Sequence, residues 1–377
     1  MHIRFLAGSL DVTQGGSAYD AHLIEALSRR GHEVSVISRT HSEPEGPVII
    51  HGVAPVVPGG QGPWAMPGAL LRGARQVNGV HCGTPDVVIA SEHDFLRAHA
   101  RRFPGVPWVY LPHCRSLPEE IGERPAGRFG ARVALRSARW LQRWAVEHAA
   151  TTVRFSRDSV EGMIDRLDLK DASRFTVIRP ATWMHPAAMP PPEGGPLRML
   201  VVGPLRTAKR VALVLEALET APPEAPWECD VVGEGSEREA LQARTAEAGL
   251  PVRFHGTCPD VGTFYARADL LLFPSRLEHA GLAIMEAMAH GVPVLAMDGR
   301  APGIRTASNE MIDDGETGWL ARSDEQFIGG VHRLIADPGA ARTLRARTLE
   351  VARVRFDFGG HVDRWERLLH ELASTGL

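Results

Sequence analysis

The stretch FPSRLEHAGLAIMEAMAHGVPVLA, residues Phe273 to Ala296, decides how this chain is read. The apolar run Leu270 to Phe273 has the length of a buried strand and ends at Pro274 and Ser275, after which a short loop carries Glu278. Gly281 opens a helical pattern that reaches about His290, with Glu286 inside it, and Val292 to Ala296 reads as the next strand. Strand, helix and strand at this spacing form one unit of a parallel sheet joined by right-handed crossovers.

The polar groups in this stretch suit a nucleotide diphosphate that carries a sugar. The N–H groups in the first turn of a helix have no intrahelical partner, and with the helix dipole they favour phosphate oxygens. Gly281 permits close backbone approach there. Glu278 and Glu286, eight residues apart, can accept hydrogen bonds from hydroxyls on opposite sides of the diphosphate, one from the sugar and one from the ribose.

Outward from this stretch the alternation continues. Towards the N-terminus it shows strands at Arg198 to Val202, Cys229 to Val232 and Val252 to His255, with helices from about Lys209 and from Ser236. Earlier still come Ile3 to Ala7, a helix from about Gly16 to Arg30, and strands at Glu33 to Ser38, Asp86 to Ala90, Val106 to Leu111 and Thr151 to Phe155. The segment Pro186 to Pro196, with Pro190, Pro191, Pro192, Gly194 and Gly195, breaks all periodicity between the two series. The expected organisation is α/β throughout: a Rossmann-like domain over 1–185, a linker over 186–196, a second Rossmann-like domain over 197–355 and a closing helical segment over 356–377. Open sheets of this kind bind ligands at the carboxyl ends of their strands, so the active site is expected in a cleft between the two domains.

Composition narrows the classes. A chain of 377 residues with 44% hydrophobic and 23% charged residues has enough material for two cores, and no apolar run approaches the roughly 20 residues of a membrane span. The start MHIRFLAGSL reads as a strand and not as a signal sequence, so a cytoplasmic location is expected. The cysteines at 82, 114, 229 and 258 have neither metal nor disulfide-framework spacing. A net charge of −3, split into +4 before residue 190 and −7 after it, gives no reason to expect a nucleic-acid partner. There is no Asp-x-Asp, Gly-x-Ser-x-Gly or His-Glu-x-x-His, and Gly233 with Gly235 lacks the third glycine of a dinucleotide fingerprint. Of 42 basic residues only Lys170 and Lys209 are lysines, which singles out Lys209 at the start of the second series.

The pattern Pro-Ser-x-x-Glu-x-x-Gly-x-x-x-x-Glu-Ala-Met-Ala-x-Gly-x-Pro-Val resembles family four of the retaining glycosyltransferases, which have the two-domain GT-B fold. The flanking segments agree with it: Val202, Gly203 and Lys209; Val232 to Leu241; Val252 to Gly256; Ala268 and Asp269; and Asp314 to Gly318. In the first half Gly15 and Gly16 stand where the family has a glycine pair before a long helix, and His113 matches its histidine that faces the donor sugar.

The resemblance implies that Lys209 binds the diphosphate, Glu286 the ribose and Glu278 the sugar. Gly203, His279 and the backbone of Ala280, Gly281 and Leu282 line the same site. His113, Lys209 and Glu278 are the expected catalytic groups, and no metal or cofactor is implied. Two positions depart from the family. Pro204 replaces an arginine beside the phosphates, so Arg206 is expected to supply that charge, and Arg179-Pro180-Ala181 replaces Pro-Asn-Gly.

The expected donor is an NDP-sugar, UDP-linked first, and the expected acceptor a small polar molecule such as an aminocyclitol. A second reading comes from Arg128, Arg132, Arg136, Arg139 and Arg143, which fall within about 80° on one helix beside Phe129, Val133, Trp140 and Trp144. That stripe is either a solvated helix face or a peripheral contact with an anionic membrane carrying a lipid-linked acceptor. The donor-binding motifs would also serve a sugar-nucleotide epimerase of the same fold or a catalytically silent nucleotide-sugar-binding subunit.

Overall fold

The computed structural model describes residues 1–10, 15–41, 48–52, 80, 83–91, 93–113, 128–183, 194–222, 225–278 and 280–375. The chain divides into two compact units. One comprises Met1–Phe155, Val160–Ile178 and Val362–Leu377, and the other Ser156–Ser159 and Arg179–His361. Most of the expected linker, 186–193, lies outside the described residues.

The first unit holds a seven-stranded sheet in the order β3-β2-β1-β4-β5-β6-β7, with all pairings parallel. Its strands are β1 His2–Leu10, β2 Glu33–His41, β3 Val48–Gly52, β4 Val87–Ala90, β5 Trp108–Tyr110, β6 Thr151–Arg154 and β7 Phe175–Val177. Helices α1 Gly15–Arg29, α2 His93–Arg102, α3 Arg128–His148 and α4 Arg157–Leu167 connect them. The central strands β4, β5 and β6 are buried along their length. They read as continuous apolar or β-branched runs because a parallel sheet is covered on both faces.

The second unit repeats the plan with six parallel strands in the order β10-β9-β8-β11-β12-β13. These are β8 Leu197–Val202, β9 Trp227–Val232, β10 Val252–Gly256, β11 Leu270–Phe273, β12 Val294–Met297 and β13 Gly318–Ala321. Alternation sorts their side chains into two cores. Met199, Leu270, Leu272, Leu295 and Met297 pack on one face, and Leu200, Leu271, Phe273, Val294 and Ala296 on the other. Helices α5 Val211–Glu219, α6 Arg238–Glu247, α7 Gly262–Arg267 and α8 Leu282–Ala289 precede the short α9 Ser308–Met311. Then come α10 Asp324–Ala336, α11 Pro338–Thr343, α12 Arg345–Arg355 and α13 Phe358–Thr375, whose residues from Val362 onward belong to the first unit.

Several elements differ from the sequence expectation. Lys209 does not open a helix. It closes a one-turn 3-10 helix, Thr207–Lys209, and α5 begins only after Arg210, which sits at φ 53°, ψ 38°. A non-glycine residue in this left-handed region costs about 1 kcal/mol, and Arg210 is held there by an ion pair to Asp324. β3, β7 and β13 are short strands that pattern alone did not reveal.

The arginine stripe of α3 is partly spent on structure. Arg139 donates to the carbonyl of Arg166, and Arg143 to that of Leu167 at 3.3 Å, which satisfies the C-terminal end of α4. Trp144 stacks on Trp108, and Arg97 lies over Trp140 and Trp144. The side chains of Phe129 and Val133, and those of Arg128 and Arg132, are outside the described residues. Among the described residues no helix is long and apolar enough to cross a membrane.

Candidate active site

In each sheet the strand order reverses beside the first strand, between β1 and β4 and between β8 and β11. At such a switch point the connecting loops leave in opposite directions and open a crevice at the carboxyl ends of the strands.

In the second unit this end is built from the loops after β8 and β11. Gly203, at φ 137°, follows β8, and its missing side chain leaves the place beside the Lys209 ammonium: a Cβ there would lie 3.7 Å from Nζ. The loop is fixed from the β9 side, because Gly203 N–H donates to Val232 O at 3.0 Å and Leu205 N–H to Glu234 O at 2.8 Å. Gly233 and Gly235 make that approach possible, since a Cβ on either would meet a backbone oxygen, Gly203 O at 1.9 Å or Leu205 O at 2.2 Å. The Gly-x-Gly turn therefore serves backbone packing under the lysine loop.

Lys209 and Glu278 lie 69 positions apart in the chain, and the fold brings them into an ion pair. Lys209 is 12% and Glu278 23% exposed, so the pair stays open to a ligand. The ammonium also lies 5.4 Å from the centre of the Phe273 ring. Backbone bonds from Arg276 N to Ala208 O and from Glu278 N to Arg305 O hold the loop that presents the carboxylate. Three N–H bonds are available to an ammonium, so one contact with Glu278 leaves donors for a second anion.

Helix α8 begins beside this pair. Gly281 is its N-cap at φ 61°, ψ 35°, and any side chain there would also press on Met311, 2.9 Å from the Cβ position. Ala280 and Leu282 flank it, while His279 lies outside the described residues. Glu286, on the next turn of α8, keeps part of its side chain accessible. It accepts a 2.9 Å hydrogen bond from the hydroxyl of Tyr265, a wholly buried residue of α7. Burial pushes the Glu286 carboxyl up to about 7, and the Tyr265 hydrogen bond pulls it partly back. The ring of His290 stacks on Tyr265 at 5.4 Å. Arg206 stands just before the lysine turn, and among the described residues no carboxylate pairs with its guanidinium.

The first unit places different groups at the corresponding end of its sheet. His113 follows β5, and its Nε2 lies 2.6 Å from Oδ1 of Asp20 on α1. Phe155 stacks on the imidazole and Tyr19 meets it edge-on. Any side chain on Gly16 would press on the same residue, and Gly15 opens the helix. Arg154, buried at the end of β6, donates to Pro112 O at 2.9 Å and so fixes the peptide before the histidine. Asp20, Tyr265 and Arg154 were not legible as site residues. Each acts through a residue distant in sequence, and the only signal was a polar group inside an apolar pattern.

Two Rossmann-like units, each with a polar cluster at the carboxyl end of its sheet, and a lysine–glutamate pair beside a helix N-terminus define a GT-B glycosyltransferase. Within that class the chain belongs to the family-four type. The family of glycosyl transferases group 1 matches residues 189–353, and the glycosyl transferase 4-like domain matches residues 14–181. The glycogen synthase of Mycobacterium tuberculosis is 29% identical over 364 residues, covering 86% of this chain and 83% of that protein. Among solved structures, the sucrose-phosphate synthase from Thermosynechococcus elongatus superposes with a TM-score of 0.79 at 19% identity, covering 100% of both chains. Anabaena HepE in complex with UDP and glucose gives 0.73 at 19% identity, over 98% of this chain and 100% of that one.

Proposed function

We propose that the protein transfers a hexose or amino-hexose from a UDP-linked sugar to a hydroxyl of a small polar acceptor, with retention at the anomeric carbon and without a metal. The observation that carries this reading is the Lys209–Glu278 pair at the end of the sheet beside the first turn of α8. A departing nucleoside diphosphate develops negative charge, and a preorganised ammonium with free N–H groups stabilises it. In this reading Lys209 and Arg206 hold the diphosphate, with Gly203 and the backbone of Ala280, Gly281 and Leu282 around it. Glu286 accepts from the ribose and Glu278 from the sugar. His113, with Gly15 and Gly16 at the start of α1, contacts a sugar hydroxyl.

A uridine donor is supported by the solved relative that holds UDP and glucose, and a sugar hydroxyl as acceptor by the name of the glycogen synthase relative. Same-face attack on an oxocarbenium-like centre, with the leaving phosphate taking the acceptor proton, needs no nucleophile from the protein. The leaving diphosphate keeps the electrons of the broken glycosidic bond.

Incubation with UDP-glucose and UDP-N-acetylglucosamine, with release of UDP as the readout and NMR of the product anomer, tests this. A β-product, or no UDP release with any UDP-sugar, would overturn it. Interconversion of the UDP-sugar without any acceptor would instead favour an epimerase. A lipid-linked acceptor is the second reading, carried by half-exposed Trp140 and exposed Arg136 on α3. Sedimentation with phosphatidylglycerol vesicles decides it.

A further inference from the structure

Positions three and four apart on a helix share a face, so α1 presents Gly16, Tyr19 and Asp20 together. Tyr19 and Asp20 contact His113, and any side chain on Gly16 would press on it. Asp20 is only 2% exposed, and a buried carboxylate without a partner is strongly unfavourable. Its partner here is Nε2 of His113. An ionised carboxylate can only accept, so Nε2 carries the shared proton, and in the neutral imidazole Nδ1 then keeps a lone pair.

Tyr19, which packs against the ring edge, is itself tied down by a 2.8 Å hydrogen bond from the buried indole of Trp365 on α13. A Cβ at Gly16 would lie 2.8 Å from the histidine Cβ and 3.5 Å from Nδ1, so the glycine gives the ring its seat and keeps that nitrogen uncrowded. Despite this enclosure His113 retains 14% of its surface. A ring immobilised on several sides yet left partly open is arranged to present something.

We propose that Asp20 is a positioning residue for sugar transfer. It holds His113 in the Nε2-protonated tautomer so that Nδ1 accepts a hydrogen bond from a sugar hydroxyl. The inference rests on the reading that His113 contacts substrate, and its test separates the two.

In protein labelled with 15N-histidine, long-range 1H–15N spectra should show His113 as the Nε2–H tautomer, its signal assigned by loss in His113→Gln. Asp20→Ala should abolish that preference, and an unchanged tautomer would overturn the proposal. Asp20→Asn, nearly isosteric, should keep the fold by circular dichroism. It should lower kcat about 10²-fold, the scale of a misplaced contact group, with donor KM within roughly threefold. Wild-type kcat in Asp20→Asn would also overturn it. In a His113→Gln background Asp20→Asn should add no further loss, whereas additive losses would show that Asp20 acts elsewhere. Full activity in His113→Gln, with the tautomer still locked in the wild type, would sink the substrate contact and leave only a structural pair.

Discussion

The carboxyl ends of the two sheets share a strand order and differ in chemistry. In the second unit a charged pair, Lys209 and Glu278, stands partly open beside a helix N-terminus. In the first unit Asp20 is sealed beneath an aromatic seat and shows itself only through His113. The same backbone plan positions both, because the ligand-facing loops of a parallel sheet leave from the carboxyl ends of its strands. The difference teaches how each kind of group reaches a ligand. In the proposed function the exposed charge and backbone N–H groups serve a diphosphate, whereas one lone pair whose direction the interior fixes serves a neutral hydroxyl.

The comparison breaks first at Lys209. Replacement by alanine should lower kcat about 10²–10³-fold, the effect of removing one group that stabilises developing charge. Wild-type turnover, measured as UDP release, would remove the diphosphate assignment.

Gly233→Ala comes next. At φ 145°, with Gly203 O only 1.9 Å from the new Cβ, it should lower unfolding free energy by about 2–4 kcal/mol in urea titrations. Gly16→Ala crowds a side chain and not a carbonyl, so it should cost less stability and act mainly on kcat. Equal destabilisation by both would erase the distinction between the units.

Glu286→Gln should raise donor KM about tenfold, the worth of one hydrogen bond to a charged group. In the wild type, donor KM should rise as pH falls below about 7, where the carboxyl takes up its proton, and the variant should show a flat profile. The stability effect has the opposite sign. The folded carboxyl titrates near 7 against 4.5 ordinarily, so its contribution to stability is complete below pH 4.5 and is lost as pH rises through 7. Glu286→Gln should therefore melt roughly 2–4 °C above the wild type at pH 8. A lower melting point there would contradict the burial assigned to this carboxyl. The smallest effect is expected from EDTA, which should leave UDP release unchanged. Loss of activity on chelation would contradict a mechanism in which Lys209 and helix N–H groups carry the charge.

Sequence alone determined that the chain is a repeated parallel α/β protein. It also located the start of α8 and placed Glu278 and Glu286 around it. These are local matters: apolar periodicity, a glycine at a helix start and a spacing of eight residues are all written within a few turns of chain. Only the tertiary structure decided the rest. It paired Lys209 with Glu278 across 69 positions and His113 with Asp20 across 93, and it set the glycines of the β9 turn to work against the β8 backbone. It also turned Arg139 and Arg143 from a candidate membrane face into caps for a neighbouring helix. Such contacts depend on strand order and on which loops meet at a switch point, and neither is encoded in the periodicity of any one segment.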